Sequence, residues 1–312
     1  MIRSILVPLD GSTFGEHALP LAAWIARRAP ASLHLVHVHR TAPPATIEGV
    51  ILPDDVELSM RREEKAYLGR VAHRLMEETS VPASAGMLDG DVASAIHDRA
   101  TAEKADLVVL STHGRGAMGR FWLGSVADEL VRRLPMPILL VRPAEGPIDL
   151  DNPPAIKNIL LPLDGSPLAE QMIEPALALG RIMGATFTLV RVISPGVRLE
   201  FVPESMALEK MADDVLGQIR TCHHQLRAEA QAYLDGVAAR LRSRDLRVET
   251  CVVADEQPAV GILREAEIFG ADLIAMETHG RRGLARLLLG SVADKVVRGG
   301  HLPILLHRPV QA

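Results

Sequence analysis

The chain has 312 residues, enough for two domains that each bury a full core, and its 48% apolar and 23% charged residues are ordinary for a soluble globular protein. A formal charge of -5 supplies no basic footprint for nucleic acid or an anionic membrane, and 3% aromatics leave little from which to build base-stacking platforms. The two cysteines, Cys222 and Cys251, both lie in the second half and form neither a disulfide framework nor a paired metal motif, a pattern that suits a reducing cytoplasm.

The opening MIRSILVPLDGS reaches Asp10 before the apolar core of a signal peptide could form. No uninterrupted run of about 18 apolar residues follows it, so a cytoplasmic, soluble protein is expected. Short β-branched and leucine-rich runs at residues 4–9, 32–38, 83–88, 107–111 and 137–141 alternate with segments of helical period at 16–28, 55–78, 92–104 and 125–134. Pro20 lies inside the first of these segments and predicts a kink. Strand runs apolar on both faces, alternating with helices, predict a parallel sheet covered on both sides.

The pattern then repeats. ILVPLDGS from Ile5 returns as ILLPLDGS from Ile159, and SLHLVHV from Ser32 returns as TFTLVRV from Thr186, both offset by 154. From the second long helix onward the offset is 166: ADLVVLSTHG from Ala105 returns as ADLIAMETHG from Ala271, and PILLVRP from Pro137 as PILLHRP from Pro303. The second half thus carries twelve extra residues between its second strand and its second helix. Two homologous domains, 1–144 and 155–312, are expected, joined through the proline- and acid-rich AEGPIDLDNPP. The proline-bracketed last runs, 137–143 and 303–309, predict edge strands that pair with each other within the chain to give a pseudo-two-fold monomer.

The longest repeated motif is THGRGAMGRFWLGSVAD from Thr112 and THGRRGLARLLLGSVAD from Thr278. Its layout is strand, glycine-bearing loop, helix N-terminus. Glycines let backbone N–H groups approach a phosphate, and a first helical turn adds unpaired donors and a favourable dipole. Ser125 and Ser291, each followed three residues later by Asp128 or Asp294, also read as plain helix caps, which use the same donors. The carboxyl ends of strands line the ligand crevice of an open doubly wound sheet, so Asp10 and Asp164, each closing a strand run, are candidates to face that loop. Gly114, Gly116 and Gly119 spell GxGxxG, but after the fourth strand rather than the first, and the second copy loses two of the three. No GxxxxGK[ST] is present, so the lysine-driven phosphoryl-transfer apparatus lacks its parts.

These residues resemble the universal stress protein family, in tandem, across both halves apart from linker and tail. The family's nucleotide-binding pattern is Gly, two residues, Gly, nine residues, Gly, then Ser or Thr. Gly114, Gly124 and Ser125 fit its later part, as do Gly280, Gly290 and Ser291, while Ser111 and Glu277 stand in place of the first glycine. The resemblance implies Rossmann-like α/β domains, each a five-stranded parallel sheet of order 3-2-1-4-5, with ATP and Mg²⁺ in the crevice. It also implies dimer-like pairing through the last strand, including a homodimer of pseudo-dimeric chains, and a role in stress response. Carried over, adenine and ribose contacts fall on Pro8, Asp10 and Val38 with Leu110 lining the pocket, and phosphate contacts on Gly114, Gly124, Ser125 and Val126. The second set is Pro162, Asp164, Val192, Met276, Gly280, Gly290, Ser291 and Val292. Glu277 would bring a carboxylate toward a polyphosphate, at a cost on the order of 1 to 4 kcal/mol for like charges about 4 Å apart, so the first half is expected to hold nucleotide preferentially.

No residue takes a catalytic role in this reading. A nucleotide-occupied binding module, a slow ATPase using Asp128 or Asp294 to orient a metal, and a nucleotide-free scaffold all stay open. His37 and His39 share a strand face, but the second half has Arg191 and Ile193 there, which favours an ordinary strand over a metal pair. His113, His279, Arg115 and Arg281 sit in the loops as candidates for loop bonding or phosphate contact.

Overall fold

The computed structural model describes residues 2–40, 54–112, 123–143, 146–152, 154–194, 206–278 and 289–308, with side chains for all of these except 54 and 206–216. The first half runs β1 (Ser4–Pro8), α1 (Thr13–Glu16), α2 (Leu19–Arg28), β2 (Ser32–His39), α3 (Asp54–Thr79), β3 (Ala83–Asp89), α4 (Val92–Ala102), β4 (Leu107–Ser111), α5 (Ser125–Arg133) and β5 (Ile138–Val141). The second half repeats it as β6 (Asn158–Pro162), α6 (Pro167–Glu170), α7 (Ile173–Met183), β7 (Thr186–Ile193), α8 (Met206–Arg242), β8 (Val248–Ala254), α9 (Pro258–Ile268), β9 (Leu273–Glu277), α10 (Ser291–Gly299) and β10 (Ile304–His307).

Each half is a parallel five-stranded sheet, ordered β3-β2-β1-β4-β5 and β8-β7-β6-β9-β10. The last strands meet antiparallel, Ile304 opposite Leu140 and Leu306 opposite Ile138, and join the halves into one ten-stranded sheet. Pairing through these edges leaves neither with an open row of backbone donors and acceptors. One apolar layer, under α2, α3, α7 and α8, runs through both halves and includes Leu21, Leu75, Leu177 and Leu234. The other lies under α4, α5, α9 and α10 and includes Ile96, Leu130, Ile262 and Val296. β4 and β9 are buried at every position, and both are apolar up to a polar last residue, Ser111 or Glu277.

One expectation is corrected. The first helical segment is not one kinked helix; it is two, and Pro20 sits in the opening turn of α2, where its missing N–H has no helical partner to lose. Within the linking segment Leu150, 4% exposed, is buried in the shared apolar layer, as is Ile156 just after it, 1% exposed.

The halves also fill equivalent space differently. In α7, a Cβ added to Gly180 would lie 2.2 Å from Cζ of the fully buried Phe187. The first half has Ala26 and Leu33 at these places, so a smaller core side chain accompanies the added methyl.

Candidate functional site

The sheet sets the site. β1 and β4 pair in parallel with Ile5 opposite Leu107 and Leu6 opposite Val108, so both chains leave the sheet at one edge, β1 into Asp10 and β4 into Thr112. β6 and β9 repeat this with Ile159 opposite Leu273, delivering Asp164 and Thr278. This carboxyl edge, at the reversal of winding between strands 1 and 4, is where open α/β sheets place ligands.

At the tip of β1 the chain turns through Gly11, whose φ of 79° is the left-handed region glycine favours. The Asp10 carboxylate accepts the Ser12 N–H at 3.0 Å and the Ser12 hydroxyl at 2.6 Å, and Ser12 Oγ accepts the Gly15 N–H at 3.1 Å to cap α1. Gly15 leaves room for this: a Cβ there would lie 2.5 Å from Asp10 Oδ1. In the second half Asp164 accepts the Ser166 N–H at 2.8 Å, and the place of Gly15 is taken by Ala169.

At the end of β4, the Thr112 N–H donates to Val141 at 2.9 Å and the Thr112 carbonyl accepts the Gly124 N–H at 2.9 Å, closing the base of the loop. Gly124 is the cap of α5, and a Cβ on it would lie 3.2 Å from the Thr112 carbonyl. Ser125 is therefore the first helical residue and not the capping one, as its motif suggested. The cap residue has no side chain, in contrast to Ser12 and Ser166, which cap α1 and α6. The second half matches, with the Gly290 N–H bonded to the Thr278 carbonyl at 2.8 Å and Gly290 capping α10. Ser125 and Ser291 are exposed, and Val126 and Val292 half-buried. Gly114 and Gly280, with His113, His279, Arg115 and Arg281, lie outside the described residues.

Pro8 lies opposite Val36 on β2, and Val38 and Leu110 are buried with Leu123 in the layer beneath α4 and α5, with the half-buried Val126 packed against it. Pro162, Val192, Met276 and Val292 hold the corresponding places. The described members of the first set lie at or near the carboxyl ends of β1, β2 and β4 and at the start of α5, and those of the second set at the ends of β6, β7 and β9 and at the start of α10. Asp128 and Asp294, candidates to orient a metal, instead pair with Arg132 and Arg298 one turn on. Among the described residues no group of three acidic, histidine or cysteine side chains is arranged to hold a metal ion.

Glu277 behaves differently from the reading that placed its charge before a phosphate. Its carboxylate accepts from His307 Nδ1 at 2.8 Å across the β9–β10 pair, and the residue is 6% exposed. Burial, set against that hydrogen bond, raises its titration from 4.5 to about 7. The group is therefore part-protonated near neutrality, more so below it and less so above it.

Sequence reasoning missed one group present in both halves. Glu16, at the end of α1, accepts from Arg74 of α3 at 2.5 Å beside the half-buried Tyr67. Glu170 likewise accepts from Arg240 at 2.6 Å and from the Tyr233 hydroxyl at 3.0 Å. Burial, then the neighbouring glutamate's charge, raises both tyrosines. Each group ties a long helix to the turn that carries Asp10 or Asp164. Its signal was recurrence at two offsets, the glutamates at 154 and the tyrosines and arginines at 166.

The histidine pair on β2 is a clamp to α3. His37 Nδ1 bonds the Leu9 carbonyl at 2.8 Å, and the fully buried His39 is held between Glu64, 2.6 Å away, and Glu57, 2.5 Å away. Burial alone would lower His39, but its bonds to the two glutamates outweigh this and raise it.

The family model described as the universal stress protein family matches residues 1–142 and again 155–308. A universal stress protein of Thermus aquaticus is 38% identical over 143 residues, 46% of this chain and 100% of the relative. One of Mycobacterium tuberculosis is 26% identical over 319 residues, covering 97% of this chain and 94% of the relative. The crystal structure of a universal stress protein from Archaeoglobus fulgidus superimposes with a TM-score of 0.65 at 17% identity, covering 98% of both chains. No helix among the described residues is long and apolar enough to cross a membrane. Two matched segments, falling on two copies of one sheet, place the chain in the universal stress protein family, as a tandem member.

Proposed function

We propose that this chain is a binding module for adenine nucleotide, taken as ATP with Mg²⁺, in the crevice between the carboxyl ends of β1 and β4, with a second, pH-sensitive crevice between β6 and β9. The observation that carries the reading is the glycine-capped start of α5, closed against the end of β4 and delivered to the same edge as Asp10. The residues suit the ligand. The first turn of α5 offers backbone donors and the Ser125 hydroxyl to a polyphosphate, and the glycine at its cap lets the turn sit against the Thr112 carbonyl at the end of β4. Asp10, just beyond β1, would accept from ribose or adenine beside its bonds to Ser12. Asp128 is engaged by Arg132, so Mg²⁺ would enter with the phosphates and their water. Occupancy then sets shape or partners in a cytoplasmic stress response.

Preference for the first crevice depends on pH. Below about 7 the Glu277 carboxyl is protonated and adds no repulsion; above it the charge appears and the second crevice weakens. Release of nucleotide on denaturing freshly purified protein, followed by calorimetric titration of the stripped full-length chain with Mg²⁺-ATP, tests the reading. Expected are bound adenine nucleotide and a strong site abolished by Ser125→Glu; no nucleotide and no heat would end it. Turnover approaching about 1 per second, the low end of ordinary enzymes, would move the chain to the ATPases.

A further inference from the structure

The seam between the halves carries a reciprocal pair of arginines. Arg142 follows β5 directly and reaches into the second half, donating from one guanidinium nitrogen to the Val297 carbonyl at 2.6 Å and the Arg298 carbonyl at 2.9 Å. Arg308 follows β10 directly and reaches the other way, donating to the Arg132 carbonyl at 2.8 Å. These carbonyls belong to the last turns of α10 and α5, where backbone acceptors have no helical partner. A cation at that end also complements the helix dipole.

The same two helices begin at the glycine-capped anion positions, Ser125 and Ser291. Each is only nine residues long, so its two ends are about 13 Å apart at the usual rise per residue. Each arginine also stands one residue beyond a carbonyl that holds its own loop base, since Val141 accepts the Thr112 N–H and His307 the Thr278 N–H, both at 2.9 Å. The strand end that closes one crevice therefore extends a charged cap onto the helix that serves the other.

Resting on the nucleotide reading above, we propose that each phosphate site is completed in trans: Arg308 is a positioning residue for the first crevice and Arg142 for the second. The cap holds the last turn of the helix, and its positive charge adds a weak Coulomb attraction for the phosphates at the opposite end.

The test uses the full-length chain, with one crevice blocked by a carboxylate at the start of its helix. In a Ser291→Glu background, which leaves the first crevice to be read, Arg308→Ala is expected to weaken Mg²⁺-ATP binding about two- to five-fold more than Arg142→Ala does. In a Ser125→Glu background the order reverses. Arg→Lys at the same positions keeps charge and donor and restores most of the affinity, while Arg→Gln keeps a donor without charge and restores less. Because the comparison is between two equivalent seam arginines, a general loss of stability moves both alike and does not produce the crossed pattern. Equal effects in both backgrounds, or a loss that follows the arginine of the same half, overturns the inference and leaves the nucleotide reading intact. Absence of ATP binding by the unsubstituted chain overturns both.

Discussion

The two halves share one frame and differ at the points where a ligand would meet it. The first keeps Gly15 against Asp10 and Ser111 at the end of β4; the second has Ala169 and Glu277 there, with Glu277 tied to His307. The first clamps β2 to α3 through His39, Glu57 and Glu64; the second puts Ile193 and the fully buried Ala230 where His39 and Glu64 stand. What stays the same is backbone: strand register, the loop base closed by a threonine carbonyl, the glycine cap. What differs is side-chain chemistry around it. A duplicated fold can hold its geometry twice while its ionisable groups drift apart.

Substitutions that swap features between halves break or sharpen this contrast. The largest effect is expected from Gly180→Ala, which gives α7 the alanine of α2 but drives a methyl into Phe187. It costs about 3 kcal/mol in denaturant unfolding, most of it recovered by adding Phe187→Leu, the first half's own pairing. Next is Glu277→Gln. With its folded titration raised from 4.5 to about 7, Glu277 keeps its proton on folding, so its contribution is complete below 4.5 and is lost as pH rises through about 7. Relative to the glutamine variant, the native chain loses on the order of 3 kcal/mol between pH 4.5 and 8, read from paired unfolding curves; parallel curves would show the carboxyl is not buried as described.

Gly15→Ala is a smaller test, aimed at the site. Displacing the Asp10 carboxylate removes about 1 kcal/mol from first-crevice binding, roughly fivefold in affinity, with the second crevice, which already has Ala169, as the internal control in calorimetry. Smallest is the double change His39→Ile with Glu64→Ala, copying the second half. His39 is raised on folding, so its clamp contributes fully below 6.5 and fades as pH rises through its folded value. Thermal melts should show the native chain gaining on the variant only at the acid side.

Much of this was legible in the sequence because backbone rules carried it. Period and repetition give the two α/β units, and proline-bracketed last strands give the edge pairing, since a short apolar edge must be covered. Pro20 was misread because a proline within a periodic stretch breaks it equally well by kinking or by starting anew. Ser125 offers itself as a cap because Ser-x-x-Asp approximates the usual cap pattern, and nothing in the letters says that Gly124 takes that place instead. Glu277's environment depended on His307, thirty residues away on the next strand. The seam arginines were invisible for the same reason, since each meets carbonyls rather than a side chain whose identity could have pointed to it.

The short antiparallel junction of β5 with β10 has one more consequence. With Leu150 and Ile156 holding the connecting segment in place, the halves are never strangers in solution: covalent tethering presents each to the other at about millimolar effective concentration. Dilution cannot part them and unlike subunits cannot exchange, so an output that depends on their union would be indifferent to how much of the protein a cell makes.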